Sequence, residues 1–192
     1  MIMRPNKNWD LKRLRPLIET RLATVIASLV LALAVAGVAQ CSFRAARPSP
    51  SAMADLVVVH KAARRLELYR RGVLLRSFAV SLGPHPTGPK QREGDGRTPE
   101  GEYRIDYRKA DSSFYRALHI SYPGSADVAS ARSRGVSPGG LVMIHGMKNG
   151  LSPRDATRLP ADWTDGCIAV TDREMDDIWR AVPDGTKIVI TP

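Results

Sequence analysis

Cysteine is scarce in this sequence. The 192 residues hold two, Cys41 and Cys167, and no Cys-x-x-Cys pair. A thiolate zinc site needs several closely spaced sulfur ligands, so no metal and no cofactor is expected. Internal repeats are missing too. The Gly/Pro-rich stretch from Gly83 to Gly96 has no Gly-Lys-Ser/Thr closing onto a helix, which excludes a P-loop phosphate cradle. Acidic residues are in deficit, 19 against 29 Lys/Arg, for a net charge of +10. The excess is uneven. Residues 1–50 carry eight Lys/Arg against two acids, leaving 21 against 17 for the remainder. Nucleic acid would want a basic stripe on the folded part, and the modest excess there supports no such partner.

What is present at the amino terminus is a basic flank and an apolar run. Arg4, Lys7, Lys12, Arg13, Arg15 and Arg21 precede 18 residues from Leu22 to Ala39, with only Thr24 and Ser28 as mild interruptions. A spanning helix needs ~20 such residues, so the run sits between a signal-peptide core and a membrane helix. The basic side predicts a cytoplasmic amino terminus. The run lacks polar periodicity, which argues against a buried core helix. Segment 1–21 is therefore expected to be cytoplasmic and 22–40 to be a transmembrane signal anchor, or a signal peptide cleaved after small residues such as Ala34-Val35-Ala36. Val38-Ala39-Gln40-Cys41 is like a lipoprotein box, but Gln40 stands where Gly, Ala or Ser is wanted. Residues 41–53, with Pro48 and Pro50, read as a linker. A domain is expected over 54–192, at the periplasmic face of the inner membrane or exported after cleavage.

A Cys41–Cys167 disulfide would tie that linker to the core. The alternative is an unpaired Cys167, which in an exported protein invites a reactive role. A thiol becomes a good nucleophile when a base takes its proton. His145 ends the apolar run Leu141-Val142-Met143-Ile144, which reads as a buried strand. Cys167 follows the tight Asp165-Gly166 turn, which can present its sulfur and aim backbone N–H groups at an oxyanion. The bland alternative is a satisfied core histidine and an inert cysteine. A Gly beside each residue shifts the balance towards catalysis.

His145-Gly146, seventeen intervening residues, then Thr164-Asp165-Gly166-Cys167-Ile168 resembles the signature of the L,D-transpeptidases (YkuD domain). Thr98-Pro99-Glu100-Gly101, followed by Tyr103, resembles a third element of that family. Asp165 and Ala169 depart from the usual His and Arg/Asn. The YafK-like subgroup is similar to this chain at both positions, through Thr171 and Met175. The resemblance covers about Leu56 to Thr191. It implies a mainly β, sandwich-like catalytic domain with few helices. In its terms Cys167 is the nucleophile and His145 the general base and acid, while the Gly146 carbonyl orients the imidazole. Gly166 supplies an oxyanion N–H, and Asp165 holds the turn with its own N–H as a further donor. The implied substrate is a peptidoglycan stem peptide, acylating Cys167 as a thioester. An amine acceptor gives transpeptidation. Water gives an L,D-amidase or carboxypeptidase, acting on stem peptides or on a wall-anchored protein. A non-catalytic wall-binding module, with Cys167 a relic, is the third reading.

The rest of the chain fits around that site. Leu56–Val59, the run around Leu66–Tyr69, and Val73–Leu82 after an Arg71-Gly72 turn read as strands. Further strands are expected at Glu102–Tyr107, Phe114–Ser121 and Thr186–Thr191. Ala126–Arg134 is helix-prone. Thr171-Asp172-Arg173-Glu174 is a capping box opening a helix over Asp172–Val182, with Met175, Ile178, Trp179 and Val182 on one apolar face. His119 is expected in a wall of the substrate groove, and Thr164 against the substrate. Arg154 and Arg158, in the Gly150–Asp162 loop, can meet a substrate carboxylate or remain solvated. His60 and His85 read as incidental.

Overall fold

The computed structural model describes residues 52–192. The basic segment, the apolar run at 22–40, Cys41 and nearly all of the linker lie outside the described residues. Among the described residues no helix is long and apolar enough to cross a membrane.

β-branched and alternating apolar residues lay down the first three strands. These are β1 (Leu56–His60), β2 (Arg65–Arg70) and β3 (Val73–Ala79), paired antiparallel in sequence. Arg71 and Gly72 both have positive φ, as a two-residue hairpin between right-twisted strands requires. β1 also pairs in parallel with the last strand, β8 (Lys187–Thr191). The long β4 (Gly101–Ser112) then serves two partners. Its first four residues lie against β8, and the remainder against β5 (Tyr115–Ile120), with a register shift between Ile105 and Tyr107. β5 pairs with β6 (Met143–His145), and β6 in parallel with β7 (Ile168–Ala169). The spatial order is β3-β2-β1-β8-β4-β5-β6-β7. Just past β3, Ser81 exchanges two 2.9 Å backbone hydrogen bonds with Ala169 of β7. The two ends of the order thus meet, and the sandwich-like expectation takes the form of one sheet brought round on itself.

The core between them is aliphatic: Val57, Val59, Leu66, Leu68, Ile105, Leu118, Ile120, Ile144, Ile168 and Ile188 are buried. Among the described residues three helices flank it, α1 (Ser125–Ser133), the single turn α2 (Pro153–Ala156) and α3 (Asp172–Ala181). α3 starts at the expected capping box, with Thr171 Oγ1 accepting from Glu174 N and Glu174 accepting from Thr171 N. Its Met175 and Ile178 complete the core. β4 runs five residues past the expected Tyr107. That extension is largely exposed and polar, so it carries no apolar alternation to read.

The Thr98-Pro99-Glu100-Gly101 turn feeding β4 is held by a residue that sequence reasoning passed over. Lys61 is 1% exposed. Its ammonium donates to the carbonyls of Gly88 at 2.6 Å and Thr98 at 2.9 Å, and to Glu100 Oε1 at 2.8 Å. Burial pulls its pKa below the ordinary lysine value, against the raising effect of Glu100. A buried charge is tolerated only when so fully partnered. Lys61→Met leaves Glu100 and two carbonyls without their donor. Chemical denaturation of the full-length variant should show a loss of about 3 kcal/mol; an unmoved midpoint would show the turn stands without the lysine.

Candidate active site

Strand pairing brings the two predicted residues together. In the parallel β6–β7 ladder Ile144 faces Ile168 and His145 faces Ala169. Residues two apart on a strand share a face, so Cys167, one step before Ile168, projects to the side of Met143 and His145. All three line one open cavity of about 660 Å³, with Tyr107, Ser112, Phe114, Leu141, Trp163, Thr164 and Asp165 among its other walls.

His145 is 4% exposed. Phe114 lies against its ring at 4.6 Å between centroids, and Trp163 meets it edge-on at 5.7 Å. Nδ1 is 2.7 Å from the Gly146 carbonyl oxygen. A carbonyl only accepts, so Nδ1 carries the proton and the Nε2 lone pair is free to accept another. Burial lowers the imidazole pKa below its ordinary value, and the Gly146 carbonyl partly offsets this. Position 146 must be glycine. A Cβ there would stand 2.6 Å from Asp172 Oδ1 and 2.9 Å from Tyr115 Cβ.

The Cys167 thiol donates to the Leu141 carbonyl at 3.6 Å. Burial pushes its pKa up; a backbone hydrogen bond from Met143 works the other way, Asp165 adds to the rise, and Lys90 opposes it. Both groups are therefore neutral at rest, a thiol beside an imidazole, and no thiolate–imidazolium pair is favoured.

The loop carrying the thiol is clamped from the β3 side. Thr164 N–H donates to the Leu82 carbonyl at 3.0 Å. Leu82 N–H donates to Asp162 Oδ1 at 3.0 Å, and Arg64 grips the same carboxylate through Nε and Nη2. Thr164 Oγ1 donates to the Cys167 carbonyl at 2.8 Å and accepts from Gly166 N–H at 3.2 Å. Gly166 has φ +114°, and a Cβ there would collide with the Arg97 carbonyl, so no other residue can close this turn.

Several expectations change on this geometry. Thr164 lines the cavity, yet its hydroxyl is committed to the turn; it does the holding that was expected of Asp165, which is exposed. The Gly166 N–H, expected to face an oxyanion, is engaged by Thr164. His119 is not in the cavity wall. It lies behind Tyr107, stacked on that ring at 4.4 Å, with Nδ1 2.6 Å from Asp106 Oδ1. Arg154 and Arg158 are exposed and outside the cavity lining, Arg158 within 3.8 Å of Asp155. Sequence reasoning missed Phe114, Tyr107 and Leu141. Trp163, adjoining the Thr164–Cys167 motif, was the available signal.

Comparison with known proteins gives the family. The family model for YkuD, the L,D-transpeptidase catalytic domain, matches residues 54–190. The protein named "Putative L,D-transpeptidase YafK" in Escherichia coli K12 is 32% identical over 132 residues, covering 66% of this chain and 46% of the relative. The chain thus spans less than half the length of the curated relatives it matches. Among solved structures, the helical cell shape determining protein Pgp2 from Campylobacter jejuni superposes with a TM-score of 0.55 at 25% identity, covering 70% of this chain and 46% of that one. Bdellovibrio bacteriovorus Bd1075 gives 0.51 at 18% identity, covering 76% and 50%, a likeness of fold alone. The chain belongs to the YkuD family of L,D-transpeptidase catalytic domains.

Proposed function

We propose that this protein is a cysteine-dependent L,D-transpeptidase acting on peptidoglycan stem peptides at the outer face of the cytoplasmic membrane, tethered there by the apolar run at 22–40. One observation carries the reading: Cys167 and a His145 with its tautomer set by Gly146 open onto the same cavity. As the sulfur attacks a stem-peptide carbonyl carbon, Nε2 of His145 takes the thiol proton. The Cys167 N–H meets the oxyanion, and Gly166 N–H joins it only by releasing Thr164. The leaving amine takes the proton from Nε2 and departs, giving the thioester. An acceptor amine then attacks the thioester carbonyl, His145 accepts its proton, and the sulfur leaves to be reprotonated. Pgp2 is named for helical cell shape; by likeness, the cross-links made here bear on cell form.

Isolated muropeptides incubated with the full-length chain should yield cross-linked dimers by mass spectrometry. Cys167→Ala should abolish them, and a carbapenem should add its mass at Cys167. Shortened stems or a freed wall-anchored protein would instead assign hydrolysis, and an unreactive thiol in folded protein would assign a binding module.

The neutral pair has its own signature. Raised by burial, the thiol ionises at higher pH than a free cysteine, so iodoacetamide alkylation should keep climbing through the alkaline range with no acid plateau. The lowered imidazole pKa keeps the base unprotonated further into acid. The acid limb of kcat/KM should therefore fall below pH 6.5, the ordinary histidine value. Asp165→Asn removes a charge that raises the thiol pKa, and alkylation at neutral pH should quicken. An acid plateau in alkylation would mean a resting ion pair.

A further inference from the structure

The Gly146–Met147 peptide group has a partner at each end. Its carbonyl oxygen meets His145 Nδ1 at 2.7 Å, and its N–H donates to Asp172 Oδ1 at 2.8 Å. Asp172 is the first residue of α3, but it does not cap that helix; Thr171 and Glu174 do. Its carboxylate instead presses so closely on Gly146 that position 146 has no room for a side chain. A carboxylate accepting from a peptide N–H draws electron density towards that peptide's carbonyl oxygen, which then accepts more strongly.

We infer that Asp172 is a positioning residue for the reaction, acting on His145 through the Gly146–Met147 peptide as the directly bonded carboxylate does in a Ser-His-Asp triad. The inference rests on His145 serving as base. The peptide fixes the Nδ1–H tautomer and ring direction, and the carboxylate behind it stabilises the imidazolium that forms when Nε2 takes the thiol proton. The backbone on either side of that peptide is fixed as well. Gly146 N–H donates to the Phe114 and Arg116 carbonyls, and Asn149 bonds the backbone at Ser112, Ser113 and Tyr115. The relay thus has little slack.

Other titratable groups stand around the site. Arg108, Lys109 and Asp111 of β4, Asp165, and the Cys167 thiol line the cavity in front of it. On the α3 side stand Glu174 and the Arg116–Asp176 pair. A plain field effect from these cavity and surface charges is screened by salt, whereas an effect carried through one hydrogen-bonded peptide to a buried ring is screened much less.

The test uses the full-length chain and its Asp172→Asn and Asp172→Ala variants, with ¹³C-labelled histidine. His145 is assigned through His145→Gln, and titrations are run in a Cys167→Ala background. Asparagine keeps the acceptor for Met147 N–H and removes the charge. In Asp172→Asn the His145 titration midpoint should fall by roughly half a pH unit, and should do so equally in 1 M salt, where the Debye length is about 3 Å. The acid limb of kcat/KM for muropeptides should move down with it. Asp172→Ala should also lose about ten-fold in kcat as the ring loses its fixed direction, with KM little changed. A midpoint in Asp172→Asn equal to the parent's overturns the relay and leaves Asp172 a loop fastening. A shift that vanishes in salt overturns it in favour of a field effect. Turnover that survives His145→Gln overturns instead the assignment of His145 as base, and with it the catalytic sense of the relay.

Discussion

The chemistry proposed for this protein hangs on a parallel strand pairing two residue pairs long. β6 and β7 match only Ile144 with Ile168 and His145 with Ala169. That register alone sets the sulfur and the imidazole on one face. A one-residue slip would turn Cys167 away from His145, because side chains alternate at period two. So short a ladder cannot hold its own register, and its neighbours hold it. Ile144 and Ile168 are fully buried, Val170 N–H extends the ladder by donating to the His145 carbonyl, and Ser81 pins Ala169 from the other side. The Leu82–Thr164 and Leu82–Asp162 bonds then fix the loop that enters β7.

This explains which parts of the molecule could be read from the sequence. Local, self-contained signals were legible. The Arg71-Gly72 hairpin, the Thr171–Glu174 capping box and the apolar stripe of α3 each depend on residues within a turn or two of one another. So did the His145-Gly146 and Thr164–Cys167 motifs, whose glycines are demanded by close backbone approach at both positions. Parts built from distant pieces were not legible. Lys61 looks like any surface lysine until loops 27 to 39 residues away fold over it. Asp162 looks like a loop charge until Arg64, 98 residues earlier, reaches it. His119 was misplaced for the opposite reason. It is on β5, paired with Met143 of β6 and Tyr107 of β4 on the face that bears the cavity, but its ring is stacked on Tyr107 and bonded to Asp106, and Tyr107 is the one that lines the wall.

The division of labour within the Thr164–Cys167 turn is also a matter of burial. A threonine hydroxyl can donate and accept at once, and Thr164, 4% exposed, does both inside the turn. An ionised aspartate can only accept, and burying one there would strand a charge beside the sulfur. Asp165 points outward into the cavity and solvent instead. It stays close enough to add to the rise that burial gives the thiol pKa.

A site that keeps both its partners neutral has no thiolate in reserve. Burial acts on the two groups in opposite directions, raising the cysteine and lowering the histidine, and each change widens the gap a proton must cross. In the proposed reaction the attack therefore depends on how well the imidazolium is stabilised in the moment it exists. Phe114 and Trp163, packed on the ring, offer it apolar surface and little screening. The hydrogen bond the ring makes to Gly146 is then a direct source of that stabilisation, and so is whatever strengthens that carbonyl. The space that a side chain at Gly146 would fill is taken by the Asp172 carboxylate. The missing side chain at Gly146 thereby lets a negative charge stand directly behind the peptide that holds the ring.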